Sequence, residues 1–501
     1  MKKLAVALSR AELGIQAPLV RVEVHISRGL PGLSIVGMPE TAVKESKDRV
    51  RAAIMNAGYD FPHHRITINL SPADIPKQGG RYDLPIAIGV LAATGQVSSE
   101  KLAATELIGE LALGGELRPI RGVLPVVSAA ANAGRSLVCP INNGTEAALV
   151  KSCDCRLARH LLEVCAWLDG AEELPAADQQ PPPATKTCPD LAEVKGQEHA
   201  KRALIIAAAG QHNLLFYGPP GTGKTMLASR LPGILPALTE SEALQTATVA
   251  SISASGFDPA NWSQPPFRAP HHSASAAALV GGGSHPMPGE ISLAQNGILF
   301  LDELPEFSRH VLEVLREPME SGRIVIARAV RSAEFPANFQ LLASLNPCPC
   351  GYHGDPDRAC HCAPGQIQHY RNRISGPLLD RIDLQVEVPR IPHKQLRQAG
   401  PSGPDSREIK ALVMQSRRLQ MQRNGGKCNA RLQGKELDRC IPLNSRLLDF
   451  LESVVEQLRL SARAYHRIIK VSRTIADLEG AEQVAQHHLA EAISYRGFDR
   501  D

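Results

Sequence analysis

The sequence predicts an α/β chain of several domains: a phosphate-binding core with a helical lid behind it and an α+β segment in front. Three observations carry this. An apolar run, Leu214-Leu215-Phe216-Tyr217, leads straight into a glycine-rich loop and then a helix-like stretch. A second apolar run, Ile298 to Leu301, ends in two carboxylates, Asp302-Glu303. The chain has 501 residues, too many for one ordinary core.

Two breaker clusters divide it. Residues 171–189 hold Pro175, Pro181, Pro182, Pro183 and Pro189 and read as a linker. Residues 399–405, Ala-Gly-Pro-Ser-Gly-Pro-Asp, form the second. The expected domains are therefore 1–170, 190–395 and 406–501. In the first, Val20, Val22, Val24 and Ile26 alternate with Arg21, Glu23 and His25, as in a half-buried strand; Ile66, Ile68 and Leu70 repeat the pattern. Thr41 to Ala57 suits a helix. In the last, Leu447, Leu448, Leu451, Val454, Val455 and Leu458 mark one helix face, with further helices over 462–478 and 481–495.

Composition limits the function classes. A hydrophobic fraction of 43% with 21% charged residues describes a globular chain, not a disordered one. The formal net charge is only +4, so a nucleic-acid partner would need a local basic patch. No uncharged apolar stretch reaches the length of a membrane helix. The opening Met-Lys-Lys-Leu-Ala-Val-Ala-Leu imitates an export signal, but Ser9-Arg10 cuts its apolar run short. With no export, the 11 cysteines are expected to stay reduced, in the cytoplasm, as metal ligands or small buried groups.

Gly218-Pro219-Pro220-Gly221-Thr222-Gly223-Lys224-Thr225 is a phosphate loop in its proper strand–loop–helix setting. Its glycines let backbone N–H groups wrap phosphates. Lys224 is expected on the β- and γ-phosphates of ATP, and the Thr225 hydroxyl on Mg²⁺. Asp302, at a strand end, would organise Mg²⁺, and Glu303 would activate the attacking water. A third strand, Gln340 to Leu345, ends in Asn346, whose amide is placed to position that water. Read without that context, Asn346-Pro347 is a turn.

Cys348-Pro349-Cys350 and Cys360-His361-Cys362 bring four thiols into residues 348–362, enough for tetrahedral structural Zn²⁺. His353 and His361 are alternative ligands, and uncoordinated thiols are the other reading. Cys153, Cys155, Cys165 and His160 lie on helix-like sequence and read as packing. Residues 322–331 read as a β-hairpin carrying Arg323, Arg328 and Arg331, which suit DNA phosphate contacts; a solvated edge blunted by charge is the alternative. Aromatic residues are only 4% of the chain, so no base-stacking platform is expected.

The phrases Arg268-Ala269-Pro270-His271-His272-Ser273-Ala274-Ser275 and Gly281-Gly282-Gly283, with Pro288-Gly289-Glu290 through Gln295-Asn296-Gly297, resemble the ComM/YifB family, a Mg-chelatase-like branch of the AAA+ ATPases. The resemblance spans essentially the whole chain. It implies that Asn346 is sensor 1, Arg381 an arginine finger reaching a neighbouring subunit, Arg463 sensor 2 on the helical lid, and Val194, Gly196 and Gln197 the segment flanking adenine. A trans finger implies a ring, and the family a homo-hexamer. From the residues alone, a structural ion pair is the alternative for Arg381 between Asp380 and Asp383, Arg373 is the alternative finger, and a solvated basic helix face is the alternative for Arg463 with Arg467 and Lys470. The N-terminal segment resembles a Lon-protease-like (S5-domain-2-like) module also found in the DNA-repair ATPase RadA. In Asp83-Leu84-Pro85-Ile86-Ala87-Ile88, Ile86 stands where a protease of that family has its serine, and Val123 or Leu124 takes the lysine's place. No proteolysis is expected there.

The family resemblance implies a DNA motor for branch migration or unwinding of branched or single-stranded recombination intermediates, as in natural transformation. A chelatase-type or protein-remodelling ATPase is the alternative, and a non-catalytic nucleotide-gated scaffold would require a broken ATP site. No membrane partner is expected.

Overall fold

The computed structural model describes residues 4–178, 188–283, 286–327, 332–392 and 403–497. They group into two units: residues 1–184 with 244–262 and 327–335, and residues 185–243 with 263–326 and 336–501.

The first unit is built on a seven-stranded mixed sheet. In spatial order its strands are Gly32–Val36, Arg65–Ser71, Leu19–Ser27, Leu4–Arg10, Thr105–Leu107, Ser136–Pro140 and Cys155–Ala158. The alternation expected around Val22 produces a strand whose inward residues Val20, Val22 and Val24 are fully buried. Helix Thr41–Asn56 lies where its pattern placed it, and helix Asp83–Thr94 is buried along nearly its whole length. The segment expected to be helical around Cys155 is instead the sheet's last strand, in which Cys155 and Leu157 are buried and pair in register with Leu137 and Cys139. Leu244, Ala247, Phe257 and Trp262 pack with Val123, Val127 and Leu157 in a satellite core of this unit.

The second unit carries a five-stranded parallel sheet ordered Phe267–Arg268, Ile298–Leu301, Gln340–Leu345, Leu214–Tyr217, Leu384–Glu387. Such strands are buried on both faces, which is why their sequences are near-continuous apolar runs. In chain order the strands read 2-3-4-1-5 across the sheet. The first strand thus lies between the fourth and the fifth, and this reversal opens a crevice at the strands' carboxyl ends. The pairing is in step: Tyr217 lies opposite Leu345, and Leu301 opposite Ala343. The residues just beyond, Gly218, Asn346 and Asp302, are therefore delivered to one edge.

Helices Glu198–Gly210, Ser406–Arg423, Ser445–Gln457, Ala462–Leu478 and Gln486–Ser494 complete the unit and share its apolar core with the sheet through Leu204, Val413, Ile468 and Leu489. Among the described residues no helix is long and apolar enough to cross a membrane.

Candidate functional site

The crevice holds the glycine-rich loop. Gly218 has φ 149°, and a Cβ there would sit 2.4 Å from the Val388 carbonyl oxygen; Gly221 and Gly223 also take positive φ, at 75° and 91°. Only glycine meets both demands at Gly218 without strain. The loop runs into helix Lys224–Ala228.

Lys224 is folded into this loop. Its ammonium donates to the carbonyls of Gly218 and Pro219, both at 2.8 Å, and to Asn346 Oδ1 at 3.0 Å. Burial pushes its pKa down to about 8, with Asp302 and Glu303 partly opposing. The Thr225 hydroxyl donates to Asp302 Oδ2 at 2.7 Å. Asp302 Oδ1 accepts from the Glu303 N–H at 3.1 Å and from the Ser344 hydroxyl. Glu303 sits in the left-handed region at φ 53°, an outlier for a non-glycine residue of the kind that collects at functional sites. Its carboxylate is half exposed, 3.6 Å from His272 Nδ1. Lys224, Thr225, Asp302, Glu303 and Asn346 are therefore brought together in one chain.

The segment expected near adenine is also here. Gly196 and Gln197 both have positive φ, Val194 is buried, and the Gln197 amide donates to Pro389 O at 2.6 Å and to Thr222 O at 3.5 Å. An oxygen pair formed by the Thr225 hydroxyl and the Asp302 carboxylate suits a hard cation such as Mg²⁺.

The two family-derived arginines lie elsewhere. Arg381 and Arg463 line a cavity of about 430 Å³ with Arg431, Arg467, Lys470, Glu320 and Asp383. Asn213, Phe339 and Asp383, which also line it, each immediately precede a parallel strand. The cavity is thus at the amino edge of the sheet, and a four-residue strand of roughly 13 Å separates it from the phosphate loop. Arg381 is indeed ion-paired, but to Glu320 rather than to Asp380 or Asp383. Asp383 pairs with Arg467, and Asp380 accepts from Ser461 at 3.1 Å. Burial works to raise the Asp383 carboxyl, but Arg467 and His212 outweigh it and hold it well below the usual carboxylate range. Burial likewise pushes Lys470 down to about 8; Asp383 opposes this and the neighbouring Arg467 and Arg431 reinforce it. Arg373 instead donates to the Pro305 carbonyl at 3.0 Å and to Glu306 at 3.3 Å, just after Glu303.

The four cysteines of residues 348–362 converge. Cys348 Sγ lies 3.3 Å from Cys350 Sγ and 3.7 Å from Cys360 Sγ, Cys350 Sγ lies 3.6 Å from Cys360 Sγ, and all four sulfurs are within 4.8 Å of one another. These separations exceed a disulfide bond and match the edge of a ZnS₄ tetrahedron, about 3.8 Å for Zn–S bonds of about 2.3 Å. N–H groups of Tyr352, first, and His361 stabilise the Cys350 thiolate and pull its pKa down to about 6. Neither His353 nor His361 belongs to the group. The other set disperses: Cys155 pairs with Cys139 at 3.5 Å in the core, and the His160 ring accepts from the Leu162 N–H as a helix cap.

Arg323 opens the strand Arg323–Ala327, and the next strand, Ser332–Pro336, lies wholly beyond the 322–331 expected for a hairpin. Arg328 and Arg331 lie outside the described residues. Arg268 makes a bidentate pair with Glu290, at 2.6 and 2.8 Å. In the first unit Ile86, Val123 and Leu124 are all fully buried, and Asp83 is held by Arg49 at 2.8 Å. Sequence reasoning gave no role to His272 or Ser344. His272 was visible only as part of a family phrase, and Ser344 only as one polar residue in an apolar strand.

A parallel sheet of this order, with a phosphate loop at its reversal and a carboxylate pair on a neighbouring strand, defines a P-loop core of the AAA+ class. Residues 190–396 match the family described as magnesium chelatase, subunit ChlI; residues 22–143 match subunit ChlI of Mg-chelatase, and residues 403–496 its C-terminal region. The chain is 54% identical to the competence protein ComM of Haemophilus influenzae, over 99% of this chain and 98% of that one. It is 51% identical to the YifB protein of Salmonella typhimurium over the same shares. The magnesium-chelatase 38 kDa subunit of Rhodobacter capsulatus is 26% identical over 60% of this chain and 86% of its own length. The chain belongs to the ComM/YifB family of Mg-chelatase-like AAA+ proteins. Membership implies ATPase activity with ATP and Mg²⁺.

Proposed function

We propose that the chain is an ATP-driven DNA motor that moves or unwinds branched recombination intermediates, for example during integration of DNA taken up in natural transformation. The observation that carries the reading is one connected constellation, Lys224 with Asn346 and Thr225 with Asp302, in a chain alike over its full length to a competence protein.

In this reading Lys224 leaves the loop carbonyls for the β- and γ-phosphates, and loop residues 218–223 wrap them with N–H groups. Thr225 and Asp302 would hold Mg²⁺, which when bound offsets phosphate charge. Glu303 accepts the proton of the attacking water, and Asn346 orients that water. Val194, Gly196 and Gln197 border the adenine. Arg381 serves as the arginine finger of a neighbouring subunit's site and Arg463 as sensor 2 on the helical lid, which makes a homo-hexameric ring the working form; the amino-edge position of Arg381 supports this over action in its own chain. Cys348, Cys350, Cys360 and Cys362 hold structural Zn²⁺. Arg323, Arg328 and Arg331 contact DNA phosphates. The domains are residues 1–170 as a Lon-like module without protease activity, a linker at 171–189, the ATPase core at 190–395 and the helical lid at 406–501.

The alternative is a chelatase-type or protein-remodelling ATPase. Likeness to a magnesium-chelatase subunit favours it, but that relative matches only 60% of this chain.

The test is strand exchange on a labelled four-way or three-stranded DNA junction. Branch movement with ATP, absent in Glu303→Gln, is the expected result. Vigorous ATP hydrolysis with no DNA binding or movement would overturn the motor reading and favour a protein partner.

A further inference from the structure

The tetracysteine segment is more than an appendage to the ATPase core. It follows the strand Gln340–Leu345 directly after Asn346, and residues 347–363 contain neither helix nor strand. A segment of that kind has little of its own to hold a shape, and four converging sulfurs are its fixed point.

One direct contact and two routes through neighbouring residues tie it to the phosphate loop. Gly351, at φ 83°, packs so closely on Pro220 that a Cβ there would lie 2.7 Å from the proline ring. Asn346, two residues before Cys348, accepts from Lys224 at 3.0 Å. Asp355 pairs with Arg390 at 2.7 Å, and the preceding Pro389 carbonyl accepts from Gln197, whose amide also reaches Thr222. Between them lies a cavity of about 780 Å³, with Gly218 to Thr222 on one side and His353 to Asp357 on the other. Its volume is that of a small-molecule site.

We propose that Zn²⁺ bound by Cys348, Cys350, Cys360 and Cys362 fastens the outer wall of the nucleotide site, so that zinc and ATP bind with positive coupling. This rests on the tetrathiolate reading but needs neither DNA nor a ring. Without metal, residues 351–357 lose their anchor, and the contacts to Pro220 and Arg390 are no longer held. The loop must then be ordered at the cost of ATP affinity. Coupling is reciprocal, so ATP must tighten zinc by the same factor that zinc tightens ATP.

The experiment uses the full chain. Zinc is measured by elemental analysis, and a fluorescent ATP analogue is titrated before metal removal, after removal with a thiol-directed mercurial and chelator, and after zinc is restored. Expected are one zinc per chain, ATP-analogue affinity lower by about tenfold or more without metal and recovered with it, and slower zinc release when ATP is present. Cys360→Ser with Cys362→Ser should lose both metal and affinity, while Cys188→Ser, an exposed thiol outside the cluster, should change neither. If the double variant fails to fold, Asp355→Asn decides: it keeps all four thiols, and should retain zinc yet bind ATP more weakly. Absence of zinc from the native chain, with no uptake on addition, overturns the metal site. Stoichiometric zinc whose removal leaves ATP affinity unchanged overturns the coupling alone.

Discussion

Lys224 is held by three acceptors, and burial away from water lowers its ordinary pKa of 10.5 to about 8. The sign of the consequence follows from charge. A bound triphosphate favours the ammonium and raises that pKa again, so ATP binding takes up a proton in the window from about 8 towards 10.5. Affinity should be full below pH 8 and decline as pH rises through that window. Calorimetry in buffers of different ionisation heat should show proton uptake near pH 9, and Lys224→Arg, charged throughout, should abolish it. Glu303 is exposed and strained, and its neighbour Asp302 keeps Thr225 in place. Glu303→Gln should therefore retain ATP while hydrolysis drops by about 10²–10⁴-fold, measured by nucleotide binding beside phosphate release.

Elements deliver these residues by register. The parallel pairing of Tyr217 with Leu345 and of Leu301 with Ala343 sets Gly218, Asn346 and Asp302 on one edge, and Ser344 beside Asp302. The helical segment is keyed by a buried polar knot: Asp477 has no exposed side-chain surface and pairs with Arg423 and Arg473. Removing its carboxylate leaves Arg473, itself 5% exposed, with the Ala481 and Glu482 carbonyls as acceptors but without its partner charge. Asp477→Ala should cost about 3–5 kcal/mol, read as a lowered denaturant midpoint.

At the scale of the whole molecule, the phosphate loop and the Arg381–Arg463 cavity occupy opposite edges of one sheet. In the proposed ring, a complete site draws on two chains. Arg381→Ala should reduce turnover by about 10³–10⁵-fold, with ATP binding retained. Mixing Arg381→Ala chains with Lys224→Ala chains should restore part of the activity, because mixed rings contain some interfaces with both groups intact. Failure to restore any would place Arg381 outside the catalytic site and leave its pairing with Glu320 as its role.

The sequence by itself determined the phosphate loop, the carboxylate pair and the strands leading to them, because each rests on neighbours within a few residues: glycines that free φ, apolar runs that bury both faces, a charge at a strand end. The clustering of four thiols was legible for the same reason. Only the tertiary structure decided which partners those groups meet. Glu320 rather than Asp383 pairs with Arg381, although Asp383 is two residues away and Glu320 is sixty-one. His272 faces Glu303 from another segment, and Cys155 ends in a strand rather than a helix. Such pairings are set by strand order, register and burial, which act between residues far apart in the chain and leave no periodic trace along it.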